Sequence, residues 1–190
     1  IKTTGEYQGV PYNHPGPAHL GIGQEAAYVG QAYHLSINDF SFGSHRSHGE
    51  ILARGLRAVE TLPEEQLRSI MEDFDGGKIL RVLGNSQLDI RALGRDFLLY
   101  GMTCETFGRE NGFNRGLGGS MHAFFTPFGI YPNNAIVGGS GSIAPGAALY
   151  KLSNHKDGIV VCNIGDAATA CGPVWEGMVF SSMDQIRTLW

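Results

Sequence analysis

Cysteine is scarce in this sequence. Three residues, Cys104, Cys162 and Cys171, are spread over 190 positions, too few and too scattered for a disulfide framework or a CxxC pair, which points to a reducing cytosol. Long apolar runs are lacking as well, and none approaches the roughly 20 residues that a membrane-crossing helix needs. No charged-then-apolar leader opens the chain, so the expected location is cytoplasmic. Nor is positive charge in excess: 14 Lys and Arg against 18 Asp and Glu give a net charge of −4. Nucleic acid and membrane are therefore not expected partners. Internal repeats and low-complexity tracts are absent.

What remains is an ordinary globular composition, 42% hydrophobic and 17% charged, long enough for one domain with a sizeable core. Glycine stands out, with 28 of 190 residues, about twice the usual share of ~7%. The glycines cluster in 112–119, 138–146 and 165–172. Clustering of this kind marks tight turns, or backbone that must approach something closely.

Residues 1–18 are polar and proline-rich and read as an extended N-terminal arm; residues 19–190 read as the single domain. Small and apolar residues from Gly23 to about Ser36 predict a closely packed helix. A second helix follows His48-Gly49, with Ile51, Leu52 and Leu56 on one face. Pro63-Glu64-Glu65 opens a third, with acids in its first turn and Leu67, Ile70, Met71 and Phe74 at helical spacing. Helices are also expected over 95–107 and 143–152, and 181–190 reads as a helix without a stop signal. Chain ends of this kind suggest a piece of a longer polypeptide.

The clearest strand is Gly158-Ile159-Val160-Val161-Cys162-Asn163-Ile164, apolar and β-branched throughout, as a buried parallel strand requires. It runs into Gly165-Asp166 and then a helical pattern from about Pro173. Strand, tight turn and helix form the parallel α/β unit, whose ligands sit at the carboxyl ends of the strands. Asp166 therefore stands where a binding residue is expected. It is either the N-cap of the next helix or a Mg²⁺ ligand beside a phosphate.

Ser44-His45-Arg46-Ser47-His48-Gly49 places a guanidinium, whose donor fork matches phosphate oxygens, in a loop before a helix. It reads as a phosphate-binding loop or a solvated charged turn. A zinc site from His45 and His48 lacks a third ligand. His19 lies in a glycine-flanked loop ahead of a helix, a better place for ligand contact than most.

In combination these segments are specific. His19-Leu20-Gly21-Ile22-Gly23-Gln24-Glu25-Ala26 resembles the HLxxGQEA segment of the alpha subunits of thiamine-diphosphate-dependent 2-oxo acid dehydrogenases. His45-Arg46-Ser47-His48-Gly49 resembles their YRxHG, and Arg115-Gly116-Leu117-Gly118-Gly119-Ser120-Met121-His122 their RGxGGSMH. Asn134-Ala135-Ile136-Val137-Gly138 resembles NGIVG, and Gly165-Asp166-Ala167-Ala168 resembles GDGA. All five occur in the family's order.

The resemblance implies an α/β thiamine-diphosphate-binding fold, a doubly wound and largely parallel sheet with helices on both faces. It implies the cofactors thiamine diphosphate and Mg²⁺, with the domain cut short at its C-terminal end. Asp166 would coordinate the metal. Gly165, Ala167 and Ala168 would form the turn at the diphosphate, Ala167 and Ala168 through their amides. Arg46, beside His45, would contact the diphosphate. Gly138 and Ser140 would lie against the aminopyrimidine through their main chain, and His19 near the reactive carbon. A beta subunit, separate or fused, would complete the site, and a lipoyl-bearing acyltransferase would accept the acyl group.

Departures from the pattern are also visible. His45 stands for the family's tyrosine, Ala167 for a glycine, and Ala170-Cys171 for an Asn-Gln pair. The asparagine pair that closes the metal motif would fall beyond Trp190. Three other readings stay open: an acetoin dehydrogenase or transketolase-like thiamine enzyme, a non-catalytic homologue, and a nicotinamide-binding Rossmann domain. The last rests on the GxGxxA spacing at Gly139-Ser140-Gly141-Ser142-Ile143-Ala144, followed by Asp166.

Overall fold

A computed structural model describes residues 4–13, 19–84, 89–183 and 185–190. The arm is a hairpin: β1 (Thr4–Tyr7) pairs antiparallel with β2 (Val10–Asn13) across Gln8 and Gly9, both at positive φ. Residues 1–3 and 14–18 of the expected arm lie outside the described residues.

The domain itself runs α1 (Glu25–His34), β3 (Phe40–Phe42), α2 (His48–Thr61), α3 (Glu64–Asp73), α4 (Lys78–Leu83), α5 (Ile90–Thr106), β4 (Ile130–Tyr131), α6 (Ser140–Ser153), β5 (Val160–Cys162), α7 (Gly172–Ser181) and β6 (Thr188–Leu189). Strands β4-β3-β5-β6 form one sheet, in that order and parallel throughout.

Two apolar clusters flank the strands. One gathers Ile51, Val59, Leu67, Phe97 and Phe128 from α2, α3, α5 and the turn before β4. The other packs Ala144 and Ala148 of α6 on Phe42, Val160 and Cys162 of the sheet. The parallel α/β expectation is met, with helices packed on the sheet. Among the described residues no helix is long and apolar enough to cross a membrane.

Several boundaries differ from those read in the sequence. Helix α5 starts at Ile90, five residues before the expected Arg95, because the Asp89 side chain accepts the Ala92 amide at 3.2 Å and caps it there. The expected strand over 158–164 pairs only over Val160–Cys162. Gly158 sits at positive φ, and the Ile159 amide donates to Asp39 Oδ1 at 2.8 Å. The helix expected over 181–190 does not form among the described residues beyond Ser181. Helix α7 stops at Ser181, and β6 pairs with Val160 and Val161 while Ile186 is buried. Ladder bonds to a distant strand decide that segment, and local periodicity does not record them.

Helices α6 and α7 approach closely. Pro145 lacks the N–H that would bond the Gly141 carbonyl within α6. Gly177 of α7 lies over that carbonyl, where an added Cβ would meet it at 2.0 Å.

Candidate functional site

Parallel strands place their carboxyl ends on one edge of a sheet. Here the chain leaves β3, crosses outward to β4, then returns to β5 on the other side of β3. The connections after β3 and β5 therefore run away from each other, and the crevice between them is where open α/β sheets bind ligands. Two adjoining cavities of about 540 and 390 Å³ occupy it. Both are lined by Ser44 and His45 after β3 and by Asn163, Ile164, Gly165 and Asp166 after β5.

The sequence candidates divide between these cavities. Arg46 lines the first; Gly138, Ser140, Ala167 and Ala168 line the second; His45, Gly165 and Asp166 line both. His19 lines neither, but its ring meets that of His45 edge-on at 5.7 Å. The His19 amide donates to Ser120 Oγ at 3.3 Å, and its buried Nδ1 has no hydrogen-bond partner.

The loop after β3 is held by its own charges. Arg46 Nη1 donates to the Leu20 carbonyl at 3.1 Å, and its Nε donates to His45 Nε2 at 3.3 Å. The Tyr28 hydroxyl donates to the Arg46 carbonyl at 3.3 Å. Burial and then the charges of Arg46, His19 and His122 lower the pKa of His45. A neutral imidazole is also the form able to accept from Arg46. His48, unpartnered at Nε2, is lowered in the same sense, first by burial and then by His19 and Arg46.

Asp166 is exposed at the start of a 3₁₀ turn, Asp166–Ala170. The Ala168 amide already donates to the Gly165 carbonyl at 2.9 Å, which leaves Ala167 as the better placed donor in this turn. No three His, Cys, Asp or Glu side chains cluster to hold a metal among the described residues. An ion at Asp166 thus needs further oxygen ligands from a bound molecule or from outside these residues, which suits Mg²⁺ shared with a diphosphate.

Gly138 has φ +79°, and an added Cβ would lie 2.8 Å from Cys171 Cβ, so only glycine fits there. The buried Ser140 side chain donates to the Gly43 carbonyl at 3.4 Å, tying α6 to the end of β3. The residues before α6, Ala135-Ile136-Val137, are exposed and form no strand. The GxGxxA segment accordingly lacks the strand that a dinucleotide fingerprint requires.

Sequence reasoning passed over the supporting side chains. Gln31 on α1 and Asn163 after β5 form a reciprocal amide pair, at 2.8 and 3.0 Å. Asn163 also hydrogen-bonds Glu50, a buried acid in the first turn of α2. The buried Glu105 carboxylate accepts the amides of Asn114, Gly116, Gly118 and Gly119 at 2.7, 2.9, 2.7 and 3.2 Å, shaping the glycine-rich turn. Asn133 donates to the Ser44 and Met121 carbonyls at 2.8 and 2.7 Å and contacts His122 Nδ1 at 2.9 Å. The available signal was an acid in an otherwise apolar helix stretch, as at Glu50 and Glu105.

A family model described as "Dehydrogenase E1 component" matches residues 87–189. The alpha subunit of acetoin:2,6-dichlorophenolindophenol oxidoreductase from Bacillus subtilis is 30% identical over 164 residues, 86% of this chain and 37% of that protein. The pyruvate dehydrogenase E1 component subunit alpha of Rhizobium meliloti is 26% identical over 175 residues, 92% of this chain and 38% of the relative. The human somatic mitochondrial form is 28% identical over 161 residues, covering 85% and 30%. The chain thus spans between 30% and 38% of the length of these relatives.

Proposed function

This chain belongs to the dehydrogenase E1 component family, and on that premise we propose that it is part of the alpha subunit of a thiamine-diphosphate-dependent 2-oxo acid dehydrogenase. The observation that carries the reading is the convergence of His45-Arg46 and Gly165-Asp166 on one cleft at the reversal of strand order. Thiamine diphosphate supplies, when bound, the electron sink that a 2-oxo acid needs to lose CO2.

The chain's own residues do the holding. Arg46 offers its remaining guanidinium donors to the diphosphate, and Ala167 offers its backbone amide. Asp166 ligates Mg²⁺. Gly138 brings main chain against the aminopyrimidine because nothing projects from it, and Ser140 helps fix that segment to β3. His19, with a buried ring nitrogen unpartnered, stabilises charge near the reacting centre. A beta subunit completes the site, and a lipoyl-bearing acyltransferase takes the acyl group.

Acetoin is a second candidate substrate, because the relative at 30% identity is an acetoin oxidoreductase subunit. The test is to assemble the full-length subunit with its partner and follow reduction of 2,6-dichlorophenolindophenol with pyruvate, branched 2-oxo acids or acetoin. Turnover with a 2-oxo acid that requires both thiamine diphosphate and Mg²⁺ supports the first reading; turnover with acetoin alone supports the second. No turnover with any of them means a structural homologue, and binding of NAD without thiamine diphosphate would return the Rossmann reading.

A further inference from the structure

Glu50 is an acid in an unfavourable place. It lies in the first turn of α2, is 8% exposed, and sits in the floor of the larger cavity. Among the described residues no cationic side chain forms an ion pair with it. Its neighbour along α2, Arg54, directs Nη2 to the Ser36 and Asp39 carbonyls at 3.0 and 2.9 Å. A lone ionised carboxylate in such a setting carries a large desolvation cost, and the usual outcome is that it keeps its proton.

The polar contact that Glu50 does make is informative. Asn163 hydrogen-bonds it, and Asn163 is also paired with Gln31. Three elements, α1, α2 and the end of β5, are thereby laced together beneath the turn that continues through Gly165 to Asp166. We propose that Glu50 is a positioning residue that acts as a neutral carboxylic acid, bracing the Gln31–Asn163 pair and hence the Gly165-Asp166 turn against the cofactor's diphosphate.

This inference rests on the cofactor reading above. A neutral acid keeps negative charge out of a cleft that must accept a diphosphate; an ionised one would oppose it. Burial supports the assignment, pushing the Glu50 carboxyl up to about 8 against the pull of the Asn163 hydrogen bond. The groups around it are Tyr28 on α1, Arg54 on α2, Cys162 on β5 and Tyr131 on β4, with His45, Arg46 and Asp166 lining the same cavities. Tyr28 and Cys162 are both raised, chiefly by burial and secondarily by Glu50, so neither supplies a compensating charge.

The test uses the full-length subunit assembled with its partner. Infrared difference spectra of wild type against Glu50→Gln should show a protonated-carboxyl band near neutral pH that fades as pH passes about 8. A carboxylate band already present near neutrality overturns the proposal. Calorimetric titration with thiamine diphosphate and Mg²⁺ gives the second readout. Wild-type affinity should fall above that pH by up to about tenfold per unit. Glu50→Gln, which keeps a neutral hydrogen-bonding group, should hold its affinity, and Glu50→Ala should be weaker at every pH. Identical pH profiles for wild type and Glu50→Gln overturn the positioning role. Failure of wild type to bind the cofactor at any pH refutes the cofactor reading and the positioning role that rests on it, while the infrared band still decides the protonation state.

Discussion

Gln31 and Asn163 present their side-chain amides to each other, Gln31 Nε2 donating to Asn163 Oδ1 at 2.8 Å and Asn163 Nδ2 returning a bond to Gln31 Oε1 at 3.0 Å. They stand 132 positions apart in the chain, and the pair ties the first helix of the domain to the turn that carries Asp166. Removing Asn163 leaves Gln31 half-buried without its amide partner, and removing Gln31 leaves Asn163 with its bond to Glu50 alone. Gln31→Ala and Asn163→Ala should therefore each destabilise the fold by about 1–3 kcal/mol. The double variant should cost less than the sum, with a coupling of roughly 0.5–3 kcal/mol in urea unfolding. Simple additivity would show that the pair is not energetically linked.

Arg46→Ala should weaken thiamine diphosphate binding by roughly 1.5–3 kcal/mol, the range for a hydrogen bond to a charged group. Calorimetric titration of the assembled enzyme measures it, and unchanged affinity would place the diphosphate elsewhere.

Glu105 carries the glycine-rich turn on one carboxylate with four amide donors. Truncation in Glu105→Ala leaves these donors without their acceptor, at about 1–3 kcal/mol for each that stays buried. The expected loss is large enough to lower the thermal midpoint by many degrees. Glu105→Gln, which puts an NH₂ group among donors, should be milder but still destabilising. A variant melting with wild type would show that the turn holds its shape through its own backbone.

Gly177→Ala would drive a methyl into the Gly141 carbonyl, where the distance would be 2.0 Å. Helices α6 and α7 would have to separate, and overpacking of this kind costs about 1–3 kcal/mol. Gly146→Ala, with nothing within 4 Å of the added carbon, is the control and should be neutral or stabilising in the same melt.

The Glu50 carboxyl also fixes a direction for stability against pH. Burial pushes it up to about 8 in the folded state, above the 4.5 of a solvated glutamate. The native state thus holds a proton that the unfolded chain has released, and stability falls as pH rises from about 4.5 through about 8. Each unit of difference is worth about 1.4 kcal/mol. Glu50→Gln should flatten this slope in denaturant titrations at several pH values, and an unchanged slope would assign it to other groups.

The sequence alone determined much of this protein. The apolar run ending in Cys162 and the Gly-Asp turn after it marked a parallel strand feeding a ligand site. Proline followed by two acids marked the start of α3, and the five ordered motifs pointed to the family. Those features are local: periodicity, turn chemistry and residue type at fixed spacing. Other features are set by contacts between distant segments. Phe40–Phe42 is too short to read as a strand, yet it is central because β4 and β5 pair on either side of it. Thr188 and Leu189 lie in a segment that reads as helical but form β6, because Val160 and Val161 offer them a ladder. The convergence of His45, Arg46 and Asp166, and the burial of Glu50 and Glu105 beneath their loops, follow from strand order. Strand order is a property of the assembled sheet and is written in no single window of the chain.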